Sequence, residues 1–395
     1  MFRVLLVLSL LLPAAAHAQT VSYFTVIGRV GAVTAAADGN LWFIHERGVG
    51  RMTPLGEVTI IPTSTMLSST IVSGPNDTVW FTRFRGIDSF DIRTGAHSSY
   101  DVPYLVQGLL AAPDGNVWFT VDQIGLGRLA PDGEITMFPV EPSIAGMALG
   151  PDGNIWFTQY GFGAIGRVTP RGDITFFTTS PRGCCGQAIA SAADGTLWTT
   201  LEGPKLARLS VQGTILKLFD LPSYAWKMGV GHDGRVWFNT PTGFDVLASD
   251  GQITSIAVPG MPENMSGLVA AGDGNMWATT AKSFSCSLMC SLPLDVPAVG
   301  FLRVNLVNPA PAITSVVRAY AGVMIRGLGF VPDTVIRFNG TDQTTTYVSP
   351  FEIVLNSQEA SSGGTFTAVN KSPGGGTSAP FVFIPEPVVR RRAIR

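Results

Sequence analysis

The sequence predicts an all-β chain: a seven-bladed β-propeller over residues 19–306, then a small β-sandwich over residues 307–385. Three observations carry that reading. Tryptophans that follow a turn signal recur at positions 42, 80, 118, 156, 198, 237 and 277, in steps of 38, 38, 38, 42, 39 and 40. A period of about forty residues is that of one four-stranded propeller blade. A second turn signal recurs six times, at Leu55-Gly56, Thr94-Gly95, Asp132-Gly133, Arg171-Gly172, Gln212-Gly213 and Asp250-Gly251, so each unit holds two hairpins. The composition agrees, with 45 glycines and only 14% charged residues, and with many β-branched and aromatic residues that suit half-buried strands.

In chain order, residues 1–18 come first. Met1-Phe2-Arg3 is a positive start, Val4 to Leu12 is an apolar run too short to span a bilayer, and Ala16-His17-Ala18 is a small-x-small cleavage pattern. This reads as a secretory signal peptide cut before Gln19, which places the protein in the periplasm or outside the cell. No later run is long and apolar enough for a membrane helix. The net charge of −2 gives no bulk attraction to nucleic acid. A monomer is expected.

The blade is clearest in its fourth copy. "SIAGMALG" is a small inner strand, suited to the crowded central channel, and "PDG" turns it into "NIWFTQY". "GFGAIGRVT" is a loop and third strand, and "PRG" turns into "DITFFTT", the fourth. After Trp277 the chain runs through "VGFLRVN" and leaves at Pro309 and Pro311, so the last blade lacks its fourth strand. "VSYFTVI", Val21 to Ile27, is spare at the other end. It is predicted to complete the last blade, closing the ring and removing a sheet edge.

From Val307 the period stops, and short strands are broken by Gly, Pro, Asn and Ser. "PAITSV", "IRGLGFVPDTVIRFNG" and "FTAVNKSPGGGTSAPFVF" resemble the IPT/TIG family, which implies an immunoglobulin-like β-sandwich acting as an adhesive or spacer module. Residues 386–395 form a basic tail with four arginines in six residues, either simply solvated or in contact with an acidic surface.

Within the propeller, "DGNVWFTVDQIGLGRLAPDGEITMFPV" and "DGNIWFTQYGFGAIGRVTPRGDITFF" resemble the streptogramin B, or virginiamycin B, lyases over residues 21 to about 305. The resemblance implies a seven-bladed propeller. Active members of that family open a cyclic depsipeptide by Mg²⁺-assisted elimination across its ester, which needs a base and a group that stabilises the leaving oxygen. The family carries a His upstream of the sixth-blade tryptophan, a Glu-x-His upstream of the seventh, and a Glu four residues after the seventh. Here those places hold Trp226, Asn264 with Ser266, and Ala281. Glu263 lies one residue off register.

Other residues are candidates in their own right. His45 and Glu46 follow the first blade's tryptophan on the face that bears the family site. An adjacent His-Glu pair can move a proton or hold a metal, and with Glu263 it is the candidate relocated site around Mg²⁺. Counting eleven residues back from each tryptophan gives one mouth residue per blade: Gly31, Ser69, Gln107, Ala145, Gln187, Trp226 and Ser266. Loops after the second strands add Arg83, Phe84, Arg85, Asp122, Tyr160, Glu202 and Lys282. The candidate ligand-binding set is Arg83, Arg85, Gln107, Tyr160, Gln187, Tyr224, Trp226 and Ser266. Aromatic faces with placed amides suit a neutral sugar or a peptide. The alternative is that Trp226 caps the channel and the glutamines bond their own loops. Cys286 and Cys290 are expected to form a local disulfide, while the pairing of Cys184 and Cys185 stays open. No metal site and no cofactor are assigned outside the lyase alternative. The functional expectation is an exported scaffold that binds a peptide, glycan or surface protein at its mouth. The alternative is a lyase-like enzyme or hydrolase.

Overall fold

The computed structural model describes residues 20–385 apart from 64–66, 122–123, 141–143, 160–162, 179–186, 226, 249, 259–264, 281–298 and 320–321. The signal segment, the basic tail and all four cysteines therefore lie outside the described residues.

Seven four-stranded antiparallel sheets follow one another along the chain. Blades 1 to 6 occupy residues 30–62, 67–101, 106–139, 144–178, 189–220 and 228–257. Blade 7 takes three strands from its own stretch, Met265–Ala270, Met276–Thr280 and Val299–Asn305. Its fourth is the N-terminal strand Thr20–Thr25, which pairs antiparallel with Val299–Asn305 from Thr20↔Asn305 to Thr25↔Val299. The closing strand thus ends before Ile27, which is 89% exposed on the way into blade 1.

The repeated tryptophan holds the seams. Trp118 of blade 3 packs with Ala112 and Leu126 of its own sheet and with Ile155, Phe157 and Val168 of blade 4. Within a blade it stacks on the fourth strand's aromatic residue, as Trp156 does on Phe177 at 5.2 Å. The third-strand arginine covers both rings, Arg167 lying 5.6 Å from Trp156 and 5.4 Å from Phe177. Such contacts contribute about 0.5–2 kcal/mol each, depending on how dry they are. The same arginine then crosses the seam. Arg128 Nη1 donates to the Pro170 carbonyl at 2.7 Å, Arg167 Nη1 to Val211 at 3.3 Å and Arg303 Nη1 to Pro54 at 2.9 Å. The last of these joins blade 7 to blade 1. Arg303 is fully buried between Phe24 and Trp277, and burial pushes its pKa down to about 10.

One residue earlier, the third strand carries Gly50, Gly127 or Gly166 in blades 1, 3 and 4. Any Cβ there would collide with the ring of Phe43, Phe119 or Phe157. The glycine makes room for the phenylalanine of the Trp-Phe pair.

The C-terminal region folds as two facing sheets. One holds Ala312–Ala319, Gly322–Leu328, Glu352–Leu355 and Thr346–Ser349. The other holds Thr341–Gln343, Val335–Phe338 and Gly364–Asn370, with Gly376–Thr377 and Phe381–Phe383 both pairing to the last. Val323, Ile325, Phe330, Ile336, Phe338, Ile353 and Phe366 fill the space between them. This sandwich rests on the turn face of the propeller, against the closing strand. Phe351 meets Phe24 edge-on at 6.2 Å. Tyr347 lies beside Ser22 and Arg303, and burial pushes its hydroxyl up to about 12. Asn275 of blade 7 fixes the exit, its Oδ1 accepting from the Leu306 and Val307 amides at 2.7 Å each. Among the described residues, the sandwich's contacts with the propeller fall on the turn face and not on the opposite one, the mouth.

Candidate functional site

The mouth ring is built by a recurring irregularity. In blade 3 Val106 pairs with Val121 and Gly108 with Thr120, so the register shifts by one at Gln107 and the strand bulges there. Blade 4 skips Ala145 and blade 7 skips Ser266 in the same way. A bulge of this kind re-aims a side chain at the rim of a sheet. Its freed backbone amide needs an acceptor, and the second strand supplies one. Thr158 Oγ1 accepts from the Gly146 amide at 3.0 Å, and Thr82 Oγ1 from the Thr70 amide at 3.1 Å. Thr200 Oγ1 accepts from Gln187 at 3.0 Å and Ala188 at 3.1 Å. In blade 6 Asn239 Oδ1 takes the part, accepting from the Lys227 amide at 2.8 Å. In blades 2, 4 and 5 the threonine two residues after the tryptophan thus clamps the backbone at, or one residue after, the mouth position. Sequence reading used that threonine as a family signature and missed its role. Its recurrence two residues after the tryptophan in blades 2, 3, 4, 5 and 7 was the available signal.

Of the ring, Gln107 is exposed, and Gln187 and Ser266 are half-buried. The Gln107 carbonyl accepts from Thr70 Oγ1 at 2.8 Å across the seam with blade 2. Tyr224 is 59% exposed on the connection into blade 6. Tyr160, Trp226 and Glu263 lie outside the described residues, as do Asn264 and Ala281.

His45 is buried at 2% exposure. Its Nε2 lies 2.8 Å from the Ile27 carbonyl, which only accepts, so Nε2 carries the proton. Nδ1 accepts from the Arg47 amide at 3.2 Å. Both nitrogens are therefore engaged by backbone, one pinning the closing strand's exit and the other its own loop. Glu46 is exposed beside it. This arrangement gives Mg²⁺ no open imidazole nitrogen. Among the described residues no three His, Cys, Asp or Glu side chains gather as ligands, so the donor set for the family's ion is not found among them.

Arg83 and Arg85 part company. Arg83 Nε donates to Asp88 Oδ1 at 2.8 Å and Nη2 to Asp101 Oδ1 at 2.5 Å. Asp101, with Asp88 behind it, holds the guanidinium above its ordinary pKa. Asp88 is fully buried, and its other oxygen faces His97 Nε2 at 3.2 Å. Arg83 Nη1 also reaches the carbonyls of Phe84 at 3.5 Å and Arg85 at 3.3 Å. Arg83 is thus a brace under the mouth loop, and Arg85 projects from it. His232 is a seam residue, its Nε2 meeting the Ala271 carbonyl of blade 7 at 2.8 Å on the turn face.

Comparison with known proteins agrees with this architecture. The virginiamycin B lyase family model matches residues 24–145 and 94–285, which end before the sandwich. A virginiamycin B lyase of Nocardia farcinica is 31% identical over 209 residues, covering 52% of this chain and 75% of that one. A streptogramin B lyase structure superposes with a TM-score of 0.61 at 19% identity, over 72% of this chain and 97% of the other. A catalytically inactive virginiamycin B lyase from Staphylococcus aureus with quinupristin gives 0.59 at 21% identity, over 72% and 98%. An extracellular domain of a putative hybrid two-component system from B. thetaiotaomicron gives 0.54 at 14%, over 93% of this chain and 58% of that one. At these identities the structures speak for the fold. The matched model spans well over half of the sequence, and this chain belongs to the virginiamycin B lyase family.

Proposed function

We propose that this protein is an exported member of the family that binds rather than cleaves, holding a peptide, glycan or surface partner on the propeller mouth. One observation carries the reading: the places where the family bears His and Glu hold Trp226, Asn264, Ser266 and Ala281. None of these side chains takes a proton at neutral pH. The engaged nitrogens of His45 support the same reading, because a general base needs a free lone pair at the reacting proton. In this account the sandwich is an IPT/TIG-like spacer that leaves the mouth unobstructed. Neither nucleic acid nor a resident cofactor is invoked.

Membership of a family with a named lyase keeps a second reading in view, a carbon–oxygen lyase or hydrolase working through a relocated site. Purified protein incubated with quinupristin and Mg²⁺, and followed by mass spectrometry, separates the two. The binding reading expects intact antibiotic at the level of a protein-free control. Mg²⁺-dependent linearisation overturns it.

A further inference from the structure

We infer that a recess between blades 2 and 3 on the mouth face docks an acidic peptide segment, with Arg85 taking a carboxylate and the apolar wall around it taking a neighbouring aromatic or branched side chain. This rests on the mouth-binding reading and narrows it to one sector and one partner class.

The recess measures about 300 Å³ and is lined by Phe84, Arg85, Pro103, Tyr104, Leu105 and Val121. Three of its walls are large apolar groups left in solvent: Phe84 at 65% exposure, Leu105 at 48% and Tyr104 at 40%. Grouped exposed aromatics of this kind mark contact surfaces. The corresponding loops that are described in blades 1, 5 and 6 carry Glu46-Arg47, Glu202-Gly203-Pro204 and Pro241-Thr242, with no aromatic residue. Blade 2 alone among them presents one.

The loop is held in advance. Arg85 sits at φ 56°, a left-handed conformation that arginine seldom adopts. Its carbonyl is fixed by the Val102 amide at 3.2 Å and by Arg83 Nη1 at 3.3 Å. Arg83 is fixed in turn by Asp88 and Asp101. A loop already set in shape loses little entropy on binding.

Charge decides the partner. Asp88 and Asp101 both pair with Arg83, and Arg85 has no acid partner among the described residues. Its guanidinium lies 5.7 Å from the Phe84 ring centroid. A free guanidinium backed by an aromatic ring is built to take a carboxylate. The aliphatic walls of Pro103, Leu105 and Val121 suit an apolar side chain better than the hydroxyl-covered edge of a sugar. Among the described residues the recess holds one cation without an acid partner, too few for a nucleic-acid backbone.

A cellulose array of Gly-Ser-framed peptides, each bearing one acid-plus-apolar, base-plus-apolar or neutral pair, tests this with the full chain, beside a panel of uronate oligosaccharides. Acid-plus-apolar spots should retain the protein, with at least a tenfold loss for Arg85→Asn and for Phe84→Ser. Asparagine tolerates the left-handed backbone, so folding is preserved, and melting curves of the variants check it. Arg85→Asp should shift the preference to base-plus-apolar spots. Peptide binding that survives Arg85→Asn and Phe84→Ser but falls with Gln107→Ala or Gln187→Ala overturns this site and leaves the mouth reading standing. Uronate binding lost in Arg85→Asn overturns the peptide as partner. Retention of nothing on either panel overturns the acidic-peptide site outright. The mouth reading itself stands or falls separately, on the quinupristin assay.

Discussion

Blades 2 and 4 have the same strand order and the same pairing of tryptophan and phenylalanine with the third strand, yet they are filled differently. In blade 4 Phe157 faces Gly166, and Arg167 spans Trp156 and Phe177. In blade 2 the corresponding ladder positions hold Asp88 opposite Phe81 and Ser89 opposite Trp80. The cation has moved from the third strand to Arg83 at the end of the second, where it meets a fully buried carboxylate. Trp80 is left half-buried, stacked on Tyr100 at 5.7 Å. Blade 4 spends its arginine on the seam, whereas blade 2 turns its charges toward the mouth. Blade 6 makes part of the same exchange, with Asp245 buried and bonded to Ser255 Oγ at 2.6 Å and Val246 in the arginine's place. The lesson is that the repeat tolerates a polar interior where that interior organises a loop.

Three substitutions break or sharpen the contrast. Asp88→Ala should be the most damaging, at about 3 kcal/mol, because it removes the fully buried carboxylate that anchors Arg83 and faces His97. Urea unfolding gives the number, and hydrogen exchange should show residues 83–86 loosened. An unchanged midpoint would remove the buried pair as the reason for blade 2's design. Gly166→Ala should follow at about 1–3 kcal/mol, since the new methyl collides with Phe157 and the ring has nowhere to go. Calorimetry should find this cost as a lowered melting temperature. Arg167→Met should be the mildest, at about 1 kcal/mol, losing two cation–aromatic contacts and the hydrogen bond to Val211 while keeping the apolar stem packed. Thermal melts would refute the seam role if Arg167→Met proved neutral.

The tryptophan and turn spacing is a local signal, and it sufficed for the blades and for the spare strand that closes them. The interior of the site was less legible, because its partners are far apart in sequence. Thr70 Oγ1 and the Gln107 carbonyl meet at 2.8 Å across 37 residues, and nothing near either residue announces the other. Arg83 and Arg85 are two apart and look alike on paper. Only the fold shows that one is consumed by Asp88 and Asp101. His45 beside Glu46 reads as chemistry until the Ile27 carbonyl is found on its ring. Tyr160, Trp226, Glu263 and the cysteines lie outside the described residues, so the channel centre rests on sequence.

The arginines that cross the seams all end on a main-chain carbonyl: Pro170, Val211 and Pro54. Such an acceptor is present whatever side chain the neighbour carries. At these three seams the neighbouring blade can therefore exchange its side chains without losing the join.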